Sequence, residues 1–231
     1  MINRQWLHFF LALAAMLLAV VLVRCLVINV YDVPGSGLEP NIHSGEKVVV
    51  NRWSYGLRTG GGFFSYNRWL RRDVDKMDIL AYNDPTDTVN DISERPVFIG
   101  YCKYKAGDTV KINDRIFIIP SRTNSINVTP DNILLLCNTY KVFEHRDAQI
   151  KDGMLFVDGE EVNCASFSND YYWVSTGNSK NLYDSRYFGV IPEYLIVGKV
   201  VYSGEFGIFS LRKWKQFWHQ HISPLFSGST N

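Results

Sequence analysis

The chain has 231 residues, 46% of them apolar, and its 24 basic and 23 acidic residues leave a formal charge of +1. That length accommodates one or two domains with ample core. The even charge balance, with neither a basic stripe nor a recognised motif, excludes a nucleic-acid partner and a protein drawn to polyanions.

Residues 1–5 form a short N-terminus carrying Arg4, and Trp6 to Val23 then run without a formal charge. Such a run just reaches the length at which a helix crosses a hydrocarbon core, so 6–23 is expected to be a transmembrane anchor. The alternative is a cleaved signal peptide. The run is long for that role, and no small-residue cleavage pattern follows at Arg24-Cys25-Leu26-Val27. Arg4 and the N-terminal amine favour a cytoplasmic start, and Arg24 at the far end can snorkel to headgroups. Residues 24–205 would then form a domain on the outer side of the membrane.

Within that domain short apolar runs alternate with turn residues: Lys47–Val50, Ile79–Tyr82, Pro96–Ile99, Thr109–Ile112, Ile116–Ile119, Ile133–Leu136 and Tyr194–Val197. Each is expected to be a strand, giving a mainly β fold class. Met154–Val157 and Glu160–Val162 flank Asp158-Gly159, the pair that supplies positive φ in a two-residue hairpin turn. Asp84 to Arg95 is polar and expected to be loop. An aromatic loop at Thr59–Phe64, with Tyr66, Trp69 and Leu70, is expected either to face a membrane or to pack as ordinary core. Residues 206–231 place Leu211, Trp214 and Trp218 on one helical face, the pattern of an interfacial helix or of a packed terminal one.

Cys25, Cys102, Cys137 and Cys164 lack metal-type spacing. With Cys25 at the anchor, the domain has room for at most one disulfide, and the spacing does not choose the pair. His43, His145 and the pair His219/His221 have no companions that would make a triad or a metal site, so neither metal nor cofactor is expected.

The segment Val33-Pro34-Gly35-Ser36-Gly37-Leu38-Glu39-Pro40 resembles the nucleophile segment of bacterial type I signal peptidases, which reads roughly Pro-Ser-x-Ser-Met-x-Pro. Further blocks resemble that family in the same order: Ser44–Arg58 around Tyr55-Gly56, Met77–Tyr82, Lys105–Val110, and Asp184–Glu193 running into Val197-Gly198-Lys199. The resemblance implies a signal-peptidase-like domain of coiled β-sheets with one N-terminal transmembrane helix, in a bacterial cytoplasmic membrane. It also implies a serine–lysine dyad, in which a lysine kept neutral by burial takes the serine proton and hydrogen-bond donors hold the oxyanion.

Matched position by position, the chemistry is missing. Gly37 stands at the nucleophile, Gly35 at the oxyanion serine and, counting back from Gly107-Asp108, Gly100 at the general base. The last block is one residue short and has Leu182 where the family has a serine that holds the lysine. What persists is architectural, including Asp184 and Arg186, which match a structural ion pair beside the site. Ser36 and Lys103 are candidate substitutes, but each is offset by an odd number of residues along an extended backbone and faces the wrong way unless a bulge intervenes.

The expectation is therefore a catalytically inactive homologue that binds signal-peptide-bearing preproteins or an active signal peptidase at the membrane. The rivals are a working serine endopeptidase with displaced residues and a structural membrane-surface module.

Overall fold

The computed structural model describes residues 4–33, 38–39, 41–61, 64–112, 115–177 and 183–204. The interfacial helix expected over 206–231, with His219 and His221, lies outside them.

Helix α1 covers Arg4–Leu26. Its described side chains, Trp6 and His8 to Val21, are all exposed. Among the described residues no helix is long and apolar enough to cross a membrane. Over 6–23, where a transmembrane anchor is expected, the structure shows an exposed apolar helix.

The chain continues through β1 (Ile28–Asp32), β2 (Lys47–Asn51), β3 (Leu57–Gly61), β4 (Phe64–Trp69), β5 (Ile79–Asn83), β6 (Val97–Tyr104), β7 (Thr109–Ile112), β8 (Arg115–Ile118) and β9 (Ile126–Asn127). After helix α2 (Ile133–Phe143) come β10 (Ala148–Lys151), β11 (Met154–Val157), β12 (Glu160–Glu161), β13 (Cys164–Ala165) and β14 (Tyr171–Ser175). A short helix α3 (Ser185–Phe188), β15 (Ile191–Pro192), a 3₁₀ turn at Glu193–Leu195 and the long β16 (Ile196–Gly204) complete the described chain.

Seven strands make one antiparallel sheet in the order β1-β2-β16-β5-β6-β14-β15. Its register slips between Ile196 and Gly198, between Val200 and Tyr202, and between Trp173 and Val174. Each slip adds local twist, so the sheet curls. Period-2 alternation divides its side chains between two cores. On one face Val48, Val50, Ala81, Ile99 and Val197 pack with Val33, Leu38 and Ile42. On the other Leu80, Tyr82, Cys102, Val174 and Ile196 pack with Tyr55 and Val74. A third core lies under α2 and the small β10–β12 sheet, around Phe117, Leu136, Tyr140, Leu155 and Trp173.

The expected hairpin forms as read: β11 pairs with β12, with Asp158 at φ 52° and Gly159 at φ 87° in its turn. The strand expected at Ile133–Leu136 is instead the first turn of α2. Its buried residues, Ile133, Leu136, Cys137, Tyr140 and Phe143, recur at helical spacing, and Leu134 is left exposed. A four-residue apolar run fits either period, and the residues beyond it decide. Likewise Tyr194 belongs to the 3₁₀ turn before β16. The aromatic segment is a β3–β4 hairpin with Trp69 and Leu70 exposed; Gly62 and Phe63 lie outside the described residues. Cys102, Cys137 and Cys164 are all free thiols.

Candidate functional site

Gly100 sits in the middle of β6, opposite Leu80 of β5, and is buried. A Cβ built there would stand 3.3 Å from the Ser175 carbonyl oxygen and 3.5 and 3.6 Å from Cε1 and the hydroxyl of Tyr82. Tyr82 is fully buried, with its ring 6.4 Å from that of Phe98 and 6.2 Å from that of Phe188. Its hydroxyl donates to the Tyr183 carbonyl at 3.5 Å. Burial, reinforced by the charges of Asp184 and Asp84, pushes this phenol far above its usual range. It therefore stays protonated and offers no base.

Gly35, Ser36, Gly37 and Leu182 lie outside the described residues. The residues flanking the first three do not: Val33 and Leu38 are buried in one cluster with Ile99, the residue next to Gly100. Both ends of that stretch are thus packed in the core on the Ile99 face of the sheet, opposite the face that carries Tyr82 and Cys102. Lys103 is exposed, with its ammonium 5.6 Å from the Tyr104 ring centroid. Against β14, Trp173 pairs with Tyr104 and Val174 with Cys102, so Lys103 is the extra residue of a bulge. The bulge turns it to solvent. Cys102, on the Gly100 side of β6, is inaccessible, and burial pushes its thiol up to about 12. His43 and His145 are exposed. Among the described residues no group of three or more His, Cys, Asp or Glu side chains is arranged to hold a metal.

Asp184 and Arg186 are together and tightly held. Asp184 caps α3: its carboxylate accepts from the Arg186 backbone N–H at 2.9 Å, the Arg186 Nε at 2.9 and 3.0 Å, and the Thr176 N–H and hydroxyl at 3.1 and 3.3 Å. Arg186 Nη2 adds an ion pair at 2.8 Å. Burial by itself would raise this carboxyl, but the Arg186 guanidinium and the backbone donors outweigh it and hold the group below the usual carboxylate range. The neighbouring Ser185 hydroxyl accepts from the Val174 N–H at 2.8 Å. The whole cluster locks α3 onto β14, one strand away from Gly100.

Other motif residues prove to be ties between distant segments. Tyr55 donates to Asp78 at 2.7 Å, and Lys199 pairs with the same carboxylate at 2.5 Å. Three separate sequence blocks meet there. Asp108 accepts from the Lys105 N–H at 2.8 Å, closing the turn before β7, and pairs with Lys76 at 3.0 Å.

Sequence reading missed a cleft of about 690 Å³ between the β3–β4 hairpin and the main sheet, lined by Arg52, Arg58, Arg95, Tyr66 and Asn83 among others. Its one sequence signal is the basic pair Arg52 and Arg58, which the family resemblance absorbs into a motif.

The room at Gly100 is itself testable. In Gly100→Ala the new methyl needs the Ser175 carbonyl to move by a few tenths of an ångström, so the variant should fold and lose about 1 kcal/mol in urea denaturation. A loss several times larger would mean that the pocket beside Tyr82 has no slack.

A curled antiparallel sheet preceded by an apolar N-terminal helix defines a mainly β domain. The family described as "Signal peptidase, peptidase S26" matches residues 4–203, and the chain belongs to it. Signal peptidase I of Buchnera aphidicola subsp. Baizongia pistaciae is 22% identical over 245 residues, covering 87% of this chain and 77% of that protein. Signal peptidase I of Buchnera aphidicola subsp. Schizaphis graminum is 24% identical over 226 residues, with 78% and 69% covered. The probable signal peptidase I-2 of Synechocystis is 20% identical over 197 residues, with 85% and 72% covered.

Proposed function

We propose that this chain is a signal-peptidase-family protein without peptidase activity, which binds signal-peptide-bearing preproteins or an active signal peptidase at a membrane. The observation that carries the reading is Gly100. At the position matching the family's lysine there is no side chain, and the nearest polar side-chain group is a buried neutral phenol. Matched in the same way, the nucleophile and oxyanion serine are Gly37 and Gly35. Loss of the nucleophile or base alone typically leaves about 10³ to 10⁴ over the uncatalysed reaction, from binding and the oxyanion hole. With the oxyanion serine missing as well, turnover should be negligible.

Binding does not need those groups. An extended peptide takes affinity from main-chain hydrogen bonds and specificity from pockets for alternate side chains. Substrates in the family are thought to lie beside the segment equivalent to Pro34–Gly37, whose ends here are anchored by Val33 and Leu38. Contact with lipid is supported by α1, whose exposed Trp6, Phe9, Phe10 and Leu17 have no protein cover among the described residues.

The test is incubation of a signal-peptide-bearing precursor with the purified, detergent-solubilised protein, beside Ser36→Ala and Lys103→Ala variants. The expected result is no cleavage by any of the three, with precursor retained in a pull-down. Cleavage abolished by either substitution would establish a relocated dyad and overturn the proposal.

A further inference from the structure

Where the β3–β4 hairpin meets the turn after β2, three large apolar side chains stand exposed around one cleft of about 670 Å³. They are Trp53, Trp69 and Leu70, at 47, 62 and 85% exposure. Single exposed apolar residues are ordinary, but several gathered at one place mark a contact surface.

Their placement is fixed from beneath. The Gly56 N–H donates to the Trp53 carbonyl at 3.1 Å, closing the turn that carries Trp53. A Cβ on Gly56 would stand 2.5 and 2.7 Å from the Trp69 and Leu70 carbonyl oxygens, so the two backbones touch. Arg68, next to Trp69, is buried and donates to the Ile196 carbonyl at 2.6 Å. Tyr55 and Val74 seat the same two segments in one core. Leu70 itself has φ 52°. That left-handed conformation is costly for a leucine and is taken more readily by glycine or asparagine. The chain therefore keeps an exposed leucine where a polar residue would hold the bend at lower cost.

The cluster is continuous with α1. The Arg52 N–H donates to the carbonyl of Val27, the residue directly after that helix, at 2.9 Å, and Ile28 pairs with Asn51. Trp53 thus follows a residue tied to the point where the exposed apolar helix enters the domain. A tryptophan at such a junction suits the boundary between acyl chains and water, because its ring is apolar and its N–H seeks a polar partner. The cleft carries no excess of cations: Arg72 faces Asp73 and Asp75, and Lys199 is paired with Asp78 at 2.5 Å. Apolar contact, and not attraction to anionic lipid, is what this surface offers.

We propose that Trp53, Trp69 and Leu70 form a lipid-contacting foot, which dips into the interface of a bilayer beside α1 and holds the domain against it. The inference rests on the membrane reading above and adds to it a second point of attachment.

The experiment reconstitutes the full chain into phosphatidylcholine vesicles, recovers them by flotation, and measures tryptophan emission with lipids brominated in their acyl chains and, separately, with iodide in the water. The difference between wild type and the Trp53→Phe/Trp69→Phe variant isolates the emission of these two rings. It should be quenched by the brominated lipid and protected from iodide. Leu70→Asn should be at least as stable as wild type in neutral detergent, since asparagine enters the left-handed region more easily, and should lose most of the quenching by brominated lipid. Lower stability with that quenching intact would make Leu70 a structural residue and overturn the proposal. Emission that is open to iodide and untouched by bromine, in a chain that still floats with the vesicles, would sink the foot and leave the membrane reading standing. A chain that does not float would sink both. Shielding from both quenchers would give the cleft to a protein partner and overturn the assignment to lipid.

Discussion

Gly198→Ala should be among the most damaging single substitutions in this protein, at about 4 kcal/mol, close to the limit for one residue. A Cβ at that position would stand 2.3 Å from the Asn51 carbonyl oxygen, 2.9 Å from its carbon and 3.0 Å from the Arg52 Cα. All three are backbone atoms of β2 and the turn that follows it, so no rotamer relieves the clash. The strands must part where Lys199 pairs with Asn51 and Val200 with Val50. Against a usual total of about 5 to 15 kcal/mol, that loss leaves little reserve. The midpoint of urea denaturation should fall steeply, and amide exchange at Val50 and Val200 should quicken. An unfolding free energy within about 1 kcal/mol of wild type would show that β2 and β16 can slide apart freely, and the close approach would lose its meaning.

Asp184→Ala should cost about 3 kcal/mol. It strips the counter-charge from Arg186 and leaves the buried Thr176 N–H without its acceptor. Arg186 is partly exposed and can turn to water, which keeps the loss at the lower end for a broken buried pair. A pH dependence accompanies the contact. The folded carboxyl titrates below its ordinary value of about 4. Its contribution is therefore complete above about pH 4 and drains away as pH falls toward the folded value. Glu144 acts in the same direction: burial would raise it, but donation from Ser168, Tyr171 and Asn169 holds it down. Wild type should thus lose stability below about pH 4, and Asp184→Asn should flatten part of that loss. An acid limb identical in the two proteins would remove Asp184 from the account.

Much of this was legible in the sequence where local chemistry decides local structure. Asp158-Gly159 specifies its hairpin because few residues adopt positive φ cheaply. The strands at Lys47–Val50 and Ile79–Tyr82 were legible from composition, since β-branched and aromatic residues bounded by polar turns have few alternatives. Ile133–Leu136 misled because its period emerges only with Cys137, Tyr140 and Phe143. The apolar run at 6–23 was legible as a helix, because an unbroken apolar stretch of that length has no strand-like alternation. Gly100 was legible through the family resemblance, as an absence; what fills the space, Tyr82, was not, because it arrives from another strand. The Arg58 cleft was hidden for the same reason. Arg58 meets Asn83 across 25 positions of sequence, and only the fold of the β3–β4 hairpin over the sheet brings the two together.

The position of β16 has a consequence for how the molecule assembles. It follows every other described strand in the chain, yet it lies third in the sheet, paired on one side with β2 and on the other with β5. Until it arrives, β1–β2 and β5–β6 are two separate ribbons whose facing edges have nothing to bond. Closing Val50 onto Val200 gathers a loop of about 150 residues, an entropic cost that must be met before the pairing is formed. During synthesis the sheet therefore waits with two exposed edges, each a template for pairing with another chain. Folding of this domain should accordingly be slow and sensitive to concentration, with the insertion of β16 as the step that zips the two halves into one.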